Sequence, residues 1–229
     1  MPLAKINGRL LHFIHIPKTG GSAVSSYLRA KGPMALYSRE RVDWSKSTPQ
    51  HIELATQNVL IPDGFADHSF AILRDPFDRL LSEYRYRALR RNQVEYLPDS
   101  IGPSDKLTVE FDWDAAFHGT FDEWVREIFS GQASDPYLCD NHVRPQADFI
   151  GSAATVFLFE DGLEQVFNWI DDVTDTERAA VKLDRNASSQ FAIEMLDTTR
   201  KMISTYYHED FLLIEKTKAA RASIFASRI

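Results

Sequence analysis

LLHFIHIPKTGGS, residues 10–22, runs from an apolar segment of strand length through a proline into a pair of glycines. The apolar segment stops at Pro17, and the residues from Ala23 to Ala30 that follow the glycines have a helical pattern. A buried strand, a tight loop and a helix in this order are typical of α/β folds. The stretch therefore predicts one strand–loop–helix unit.

The same order recurs twice further along the chain. Residues 69–73 are apolar and lead through Arg74 to a helix for which Pro76 is well suited to the first turn. Residues 155–159 form a third apolar run, followed by apolar residues at helical spacing. Three such units predict a single α/β domain over residues 1–229, with a central parallel sheet flanked by helices.

The composition excludes several classes of protein. The net charge of −7 argues against nucleic-acid binding, which draws its affinity from clustered Lys and Arg, although the run YRYRALRR at 84–91 is locally basic. No stretch approaches the about 20 apolar residues of a membrane-spanning helix. The single cysteine, Cys139, leaves no intrachain disulfide and no cysteine-based zinc cluster. We expect a cytoplasmic protein, or the soluble catalytic part of a membrane-anchored one; the sequence carries no signal for its oligomeric state.

The loop PKTGGS at 17–22 has the chemistry of a phosphate-binding site. Glycines let the backbone approach a phosphate, the N-terminus of the following helix attracts its charge, and Lys18 and the hydroxyl groups complete the cradle. The lysine precedes the glycines, so the loop differs from the nucleotide-triphosphatase pattern Gly-x-x-x-x-Gly-Lys-Ser/Thr. An ordinary strand-to-helix turn is the alternative interpretation.

A second candidate anion site follows the second predicted strand. Arg74 lies at the carboxyl end of that strand, and Ser82 lies eight residues later on the predicted helix. Both side chains can converge on one phosphate, with the arginine as a charged hydrogen-bond donor. Neither residue alone is diagnostic.

Together, PKTGGS at 17–22 and RDPFDRLLSEY at 74–84 resemble the two cofactor motifs of the sulfotransferases that use 3′-phosphoadenosine 5′-phosphosulfate (PAPS). The residues of these two motifs are more similar to those of the carbohydrate sulfotransferases, including the uronosyl 2-O-sulfotransferases, than to those of the small-molecule cytosolic branch. Weaker echoes of the family are DNHVRPQ at 140–146 and YYHEDF at 206–211. The resemblance implies PAPS as cofactor, adenosine 3′,5′-bisphosphate as product, no metal ion, and a hydroxyl of a glycan or glycolipid as acceptor.

The resemblance also implies roles for individual residues. Lys18 would contact the 5′-phosphate and its bridging oxygen, while Arg74 and Ser82 would hold the 3′-phosphate. Asn186 and Ser188 resemble a later cofactor-covering stretch, for which a plain loop or helix cap is the alternative. The full set of implied cofactor-binding residues is Pro17, Lys18, Thr19, Gly20, Gly21, Ser22, Arg74, Ser82, Asn186 and Ser188.

Sulfuryl transfer also requires a base, because the acceptor hydroxyl must lose its proton during the in-line displacement. Histidine suits this role, since its pKa lies near neutral pH. In the family the base commonly lies between the two cofactor motifs near a helix start, and His51 matches that position. His142, in the polar stretch at 140–146, is the rival, and Glu53 and Glu83 are acidic alternatives.

Two other functions remain open at this point. A kinase-like, nucleotide-dependent phosphotransferase shares the strand–loop–helix arrangement, but the lysine position and a metal-holding acidic strand end are missing. A catalytically silent nucleotide-binding module would keep the phosphate loop and lack a working base.

Overall fold

The structure, a computed structural model, describes residues 1–92, 97–112, 115–181 and 191–226, the last four of them without their side chains. Its α-helices are α1 (Gly21–Lys31), α2 (Leu54–Leu60), α3 (Pro76–Arg91), α4 (Phe121–Ser134), α5 (Glu164–Thr174), α6 (Asp197–Tyr206) and α7 (His208–Ala226). Its strands are β1 (Leu3–Ile6), β2 (Arg9–Ile14), β3 (Met34–Ala35), β4 (His68–Leu73), β5 (Ser100–Ile101), β6 (Leu107–Glu110), β7 (Ala116–Gly119), β8 (Thr155–Leu158) and β9 (Ala192–Ile193).

The packing divides the chain into two compact units. The first comprises residues 1–75, 145–185 and 209–229, and the second comprises residues 76–144 and 186–208. The description of the chain as one domain stays a prediction from the sequence.

The main sheet lies in the first unit and has the strand order β3-β1-β2-β4-β8. The strands β2, β4 and β8 are parallel, and they are the three strands that the apolar runs predict. The α/β fold class is therefore confirmed. The sheet is mixed, not wholly parallel, because β1 pairs antiparallel with both of its neighbours, β2 and β3. Asn7 and Gly8, both at positive φ, form the two-residue turn that joins β1 to β2.

Each face of this sheet is covered, which explains why the parallel strands β2, β4 and β8 are mostly apolar. Phe70 and Ile72 of β4 pack on one side, in a core completed by α1 and α5. Ala71 and Leu73 point to the other side, where they meet Phe149 and α7. Because β2, β4 and β8 are parallel, the loops at their carboxyl ends lie along the same edge of the sheet.

The second unit is built around α3, α4 and α6, with the parallel pair β5 and β9 and the antiparallel pair β6 and β7. A capping box starts α4: the Thr120 hydroxyl accepts from the Glu123 N–H at 3.1 Å, and the Glu123 carboxylate accepts from the Thr120 N–H at 2.8 Å. Trp124 is fully buried against Tyr84 and Phe121. Aromatic packing therefore anchors α4 on α3.

Burial of His12 on β2 makes the stability of the fold dependent on pH. The side chain is buried, and loss of solvation lowers its pKa from 6.5 to about 4. Between pH 6.5 and about pH 4, His12 therefore binds a proton in the unfolded chain but not in the folded chain. We therefore expect the free energy of unfolding to fall by up to about 3 kcal/mol as the pH drops from 7 to 4.

Urea unfolding of wild type, His12→Asn and His118→Asn across this pH range tests the expectation. His118 is exposed and serves as the matched control. His12→Asn should flatten the pH dependence, and His118→Asn should leave it unchanged. An identical slope for wild type and His12→Asn would contradict the assignment.

Candidate active site

The phosphate loop joins β2 to α1 and has an unusual backbone. Lys18 has φ +68° and Gly20 has φ +88°, both in the left-handed region. A non-glycine residue seldom adopts this conformation, and such strain is concentrated at functional sites. The Thr19 hydroxyl is buried and donates to the Ile16 carbonyl at 2.9 Å, so this side chain holds the loop closed.

The loop ends at the N-terminus of α1, which begins at Gly21. The first turn contains no acidic residue. The N-cap residue, Gly20, has no side chain with which to accept a hydrogen bond from the first N–H groups. The first N–H groups of an α-helix lack intrahelical partners, and the helix dipole places partial positive charge beside them. Ser22 is exposed at the same end. This arrangement suits a phosphate group.

The side chain of His15 lies between His51 and the phosphate loop. The His15 ring abuts Gly21 so closely that a Cβ atom there would lie 1.8 Å from His15 Nε2. The His51 ring packs edge-on against His15, with 5.0 Å between ring centroids. His51 is 5% exposed, and its Nδ1 lies 3.4 Å from the Thr48 hydroxyl oxygen. The first unit therefore brings the predicted base and the predicted phosphate loop into one packed group.

Arg74 lies beside the same loop. One of its guanidinium N–H groups donates to the Lys18 carbonyl at 3.1 Å. The guanidinium also lies over the Phe159 ring, 4.6 Å from its centroid. The residues predicted for the 5′- and 3′-phosphates are thus in direct contact. Sequence reasoning did not identify Phe159 as a member of this site.

The second unit holds Ser82 and His142. Ser82 is half-buried on α3, and the next residue, Glu83, is fully buried. Glu83 Oε2 lies 2.8 Å from His142 Nδ1, and the His142 carbonyl accepts from Arg79 at 2.8 Å. A carboxylate at Nδ1 orients the imidazole, as in hydrolytic triads. His142 therefore also has the setting of a base.

The backbone that leads to His142 is strained. Cys139, Asp140 and Asn141 have φ values of +59°, +55° and +63°, three successive left-handed residues without a glycine. The Asn141 side chain accepts a hydrogen bond from Arg144 Nε at 3.0 Å, which helps to fix this turn. Asp and Asn are among the residue types that adopt this conformation most readily, but no local motif predicts three such residues in succession.

The chain matches the model of the Sulfotransferase family over residues 8–215, most of its length. It belongs to that family. No curated protein and no solved structure matches the chain significantly. Membership confirms the family that the two cofactor motifs predict. It makes the protein a transferase of sulfuryl groups, in a family that generally uses PAPS and a hydroxyl-bearing acceptor.

Two of the sulfotransferase's predicted cofactor residues, Asn186 and Ser188, lie outside the described residues. Ser82 belongs to the second unit, whereas the loop at 17–22 and Arg74 belong to the first. Within the described ranges, every helix is too short or too polar to span a bilayer. A cytoplasmic location stays a prediction from the sequence.

The basic run at 84–91 offers less free positive charge than its sequence indicates. Arg87 is buried and pairs with Glu83, its Nε lying 2.6 Å from Oε1. Arg90 pairs with Glu110 at 2.8 Å. Much of the run therefore stabilises the sulfotransferase fold through ion pairs.

Gly21→Ala is expected to destabilise the sulfotransferase, because the new methyl group would overlap His15 Nε2. Overpacking of this kind typically costs about 1–3 kcal/mol. The measurements are the thermal unfolding temperature and the affinity for adenosine 3′,5′-bisphosphate. We expect both to be lower than in wild type. Gly102→Ala is the control, since its Cβ would meet the nearest atom at an ordinary 3.5 Å. Equal behaviour of the two variants would contradict the close packing of His15 on the loop.

Proposed function

We propose that the protein transfers the sulfuryl group of PAPS to a hydroxyl of a carbohydrate, in a glycan or a glycolipid. The observation that carries the proposal is the 3.1 Å hydrogen bond from the Arg74 guanidinium to the Lys18 carbonyl. It joins the phosphate loop to the residue that matches the family's 3′-phosphate motif. A nucleotide with phosphate groups at both the 5′ and 3′ positions suits such a paired site.

The proposal takes residues 1–229 as one catalytic domain. The family match supports this, because residues 8–215 cross both units. Ser82 is assigned to the 3′-phosphate by the resemblance of its motif to that of the family. Asn186 and Ser188 complete the cofactor-binding set, an assignment supported by the resemblance of their sequence alone.

Catalysis in this proposal is in-line displacement at sulfur. The acceptor oxygen forms a bond to sulfur as the bond from sulfur to the 5′-phosphate oxygen breaks, and that oxygen takes the electron pair. Lys18 stabilises the charge that develops on the leaving oxygen, and the N–H groups at the start of α1 bind the 5′-phosphate. Adenosine 3′,5′-bisphosphate leaves as the product.

His51 takes the proton of the acceptor hydroxyl in this mechanism. Its packing through His15 onto Gly21 supports the assignment, since it places an imidazole beside the phosphate loop in the same unit. His142 is the rival, supported by its Glu83 partner. Because the two histidines differ in surroundings, separate substitutions distinguish them.

Transfer of radioactive sulfur from labelled PAPS tests the function. The acceptors are uronate-containing polysaccharides, neutral glycans and glycolipids, with simple phenols for comparison. We expect label in a carbohydrate and an equal amount of released adenosine 3′,5′-bisphosphate. Transfer to phenols alone would overturn the carbohydrate assignment, phosphate transfer from ATP would favour a kinase, and nucleotide binding without transfer to any acceptor would favour a silent module.

A further inference from the structure

The backbone of Arg74 is held by a side chain. The Arg74 N–H donates to Gln146 Oε1 at 3.0 Å, and Gln146 Nε2 donates to the Arg74 carbonyl at 2.8 Å. Arg74 lies one residue beyond β4, where the pairing with β8 has ended. The Gln146 amide therefore supplies the pair of hydrogen bonds that a neighbouring strand would otherwise provide.

Asp210 in turn holds Gln146. Its Oδ2 accepts from the Gln146 backbone N–H at 2.9 Å and from Gln146 Nε2 at 3.3 Å, and its Oδ1 accepts from the Ala147 N–H at 2.9 Å. Gln146 and Asp210 are both 0% exposed. A buried carboxylate is tolerated where hydrogen bonds of this kind satisfy it.

These contacts fix which way the amide faces. Nε2 lies beside two acceptors, the Arg74 carbonyl and Asp210 Oδ2. A flipped amide would set its oxygen against both of them and its NH₂ group against the Arg74 N–H. Asp210 thus selects the single orientation of Gln146 that can hold Arg74.

We infer that Gln146, oriented by Asp210, is a positioning residue that sets Arg74 for the 3′-phosphate of the nucleotide. The inference rests on the proposed function. Arginine has many rotamers, and a site of this kind depends on a supporting layer of hydrogen bonds to hold its binding groups. Here the amide fixes the backbone, and the Lys18 carbonyl and Phe159 fix the guanidinium. The two stretches with weaker similarity to the family, at 140–146 and 206–211, contain Gln146 and Asp210 respectively. The inference gives a role to both residues.

Calorimetric titration with adenosine 3′,5′-bisphosphate and with AMP separates this role from a merely structural one. AMP lacks the 3′-phosphate, so the ratio of the two affinities reports on Arg74. Gln146→Leu is expected to lower the affinity for the bisphosphate about tenfold, and that for AMP less than twofold. Gln57→Leu is the matched control, because Gln57 is also a buried glutamine that bonds backbone carbonyls, those of Ile52 and Phe149. Its substitution should lower thermal stability and leave the ratio unchanged.

A double-mutant cycle with Arg74→Ala completes the test. If Gln146 acts through Arg74, Gln146→Leu will not change the ratio further in the Arg74→Ala background. Independent effects, or an unchanged ratio in Gln146→Leu, would overturn the inference. If Gln146→Leu does not fold, Gln146→Asn and Asp210→Asn undergo the same titrations with the same criteria. A wild type that binds both nucleotides equally, or an Arg74→Ala variant without effect, would instead overturn the proposed function.

Discussion

Lys18→Ala is expected to lower the turnover number of sulfuryl transfer by about 10²–10³-fold, the usual effect of removing one group that stabilises transition-state charge. Lys18 is the loop's cation, and its strained backbone fixes where the side chain begins. The charge on the leaving oxygen is greatest in the transition state, so turnover should suffer more than ground-state binding. Steady-state kinetics measures the turnover number, and calorimetric titration with adenosine 3′,5′-bisphosphate measures ground-state binding.

Two further variants control for side effects of the substitution. Lys18→Arg keeps the positive charge and should retain more activity than Lys18→Ala. Lys5→Ala removes an exposed lysine on β1 and should leave turnover unchanged. A Lys18→Ala variant with turnover within threefold of wild type would show that another group stabilises the leaving oxygen.

His51→Ala is expected to lower turnover by about 10²–10⁴-fold, the range for removal of a general base. Nucleotide affinity should stay nearly constant, because a base for the acceptor hydroxyl need not bind the nucleotide phosphates. The wild-type pH profile should show activity rising with a slope of one as the base loses its proton. That rise should be absent from the residual activity of His51→Ala.

His142→Ala and Glu83→Gln provide the decisive comparison for the base. If His51 is the base, His142→Ala will reduce turnover far less than His51→Ala. A large loss in His142→Ala, together with a shifted pH profile in Glu83→Gln, would assign the base to the His142–Glu83 pair. His118→Ala, which removes an exposed histidine, controls for nonspecific effects.

The parallel core of the sheet is predictable because its strands are buried on both faces. Each therefore appears as a short apolar run before a loop, as residues 69–73 do before Arg74. The antiparallel strand β1 had a local signal too. Asn7-Gly8 is a strong two-residue hairpin signature, which the prediction of a parallel sheet did not use. The sequence thus predicts the α/β class and the parallel strands, and Asn7-Gly8 is the local signal for the antiparallel pairing of β1 with β2.

The candidate site was predictable only in part. Lys18 and Arg74 follow neighbouring parallel strands, so their proximity follows from topology. The Gln146–Asp210 contact joins residues 64 positions apart, and the His142–Glu83 contact joins residues 59 positions apart. Such pairs of polar side chains depend on tertiary packing that no periodicity or local motif encodes.

Calorimetric binding of adenosine 3′,5′-bisphosphate, with AMP and ATP as comparisons, tests the central claim most directly. The titrations use wild type, Lys18→Ala and Arg74→Ala. We predict that wild type binds the bisphosphate more tightly than AMP or ATP, and that Arg74→Ala removes the advantage over AMP. Lys18→Ala should weaken the binding of the bisphosphate and of AMP alike, because both carry the 5′-phosphate. Equal or tighter binding of ATP, or no binding of the bisphosphate, would contradict a PAPS site formed by the loop at 17–22 and Arg74.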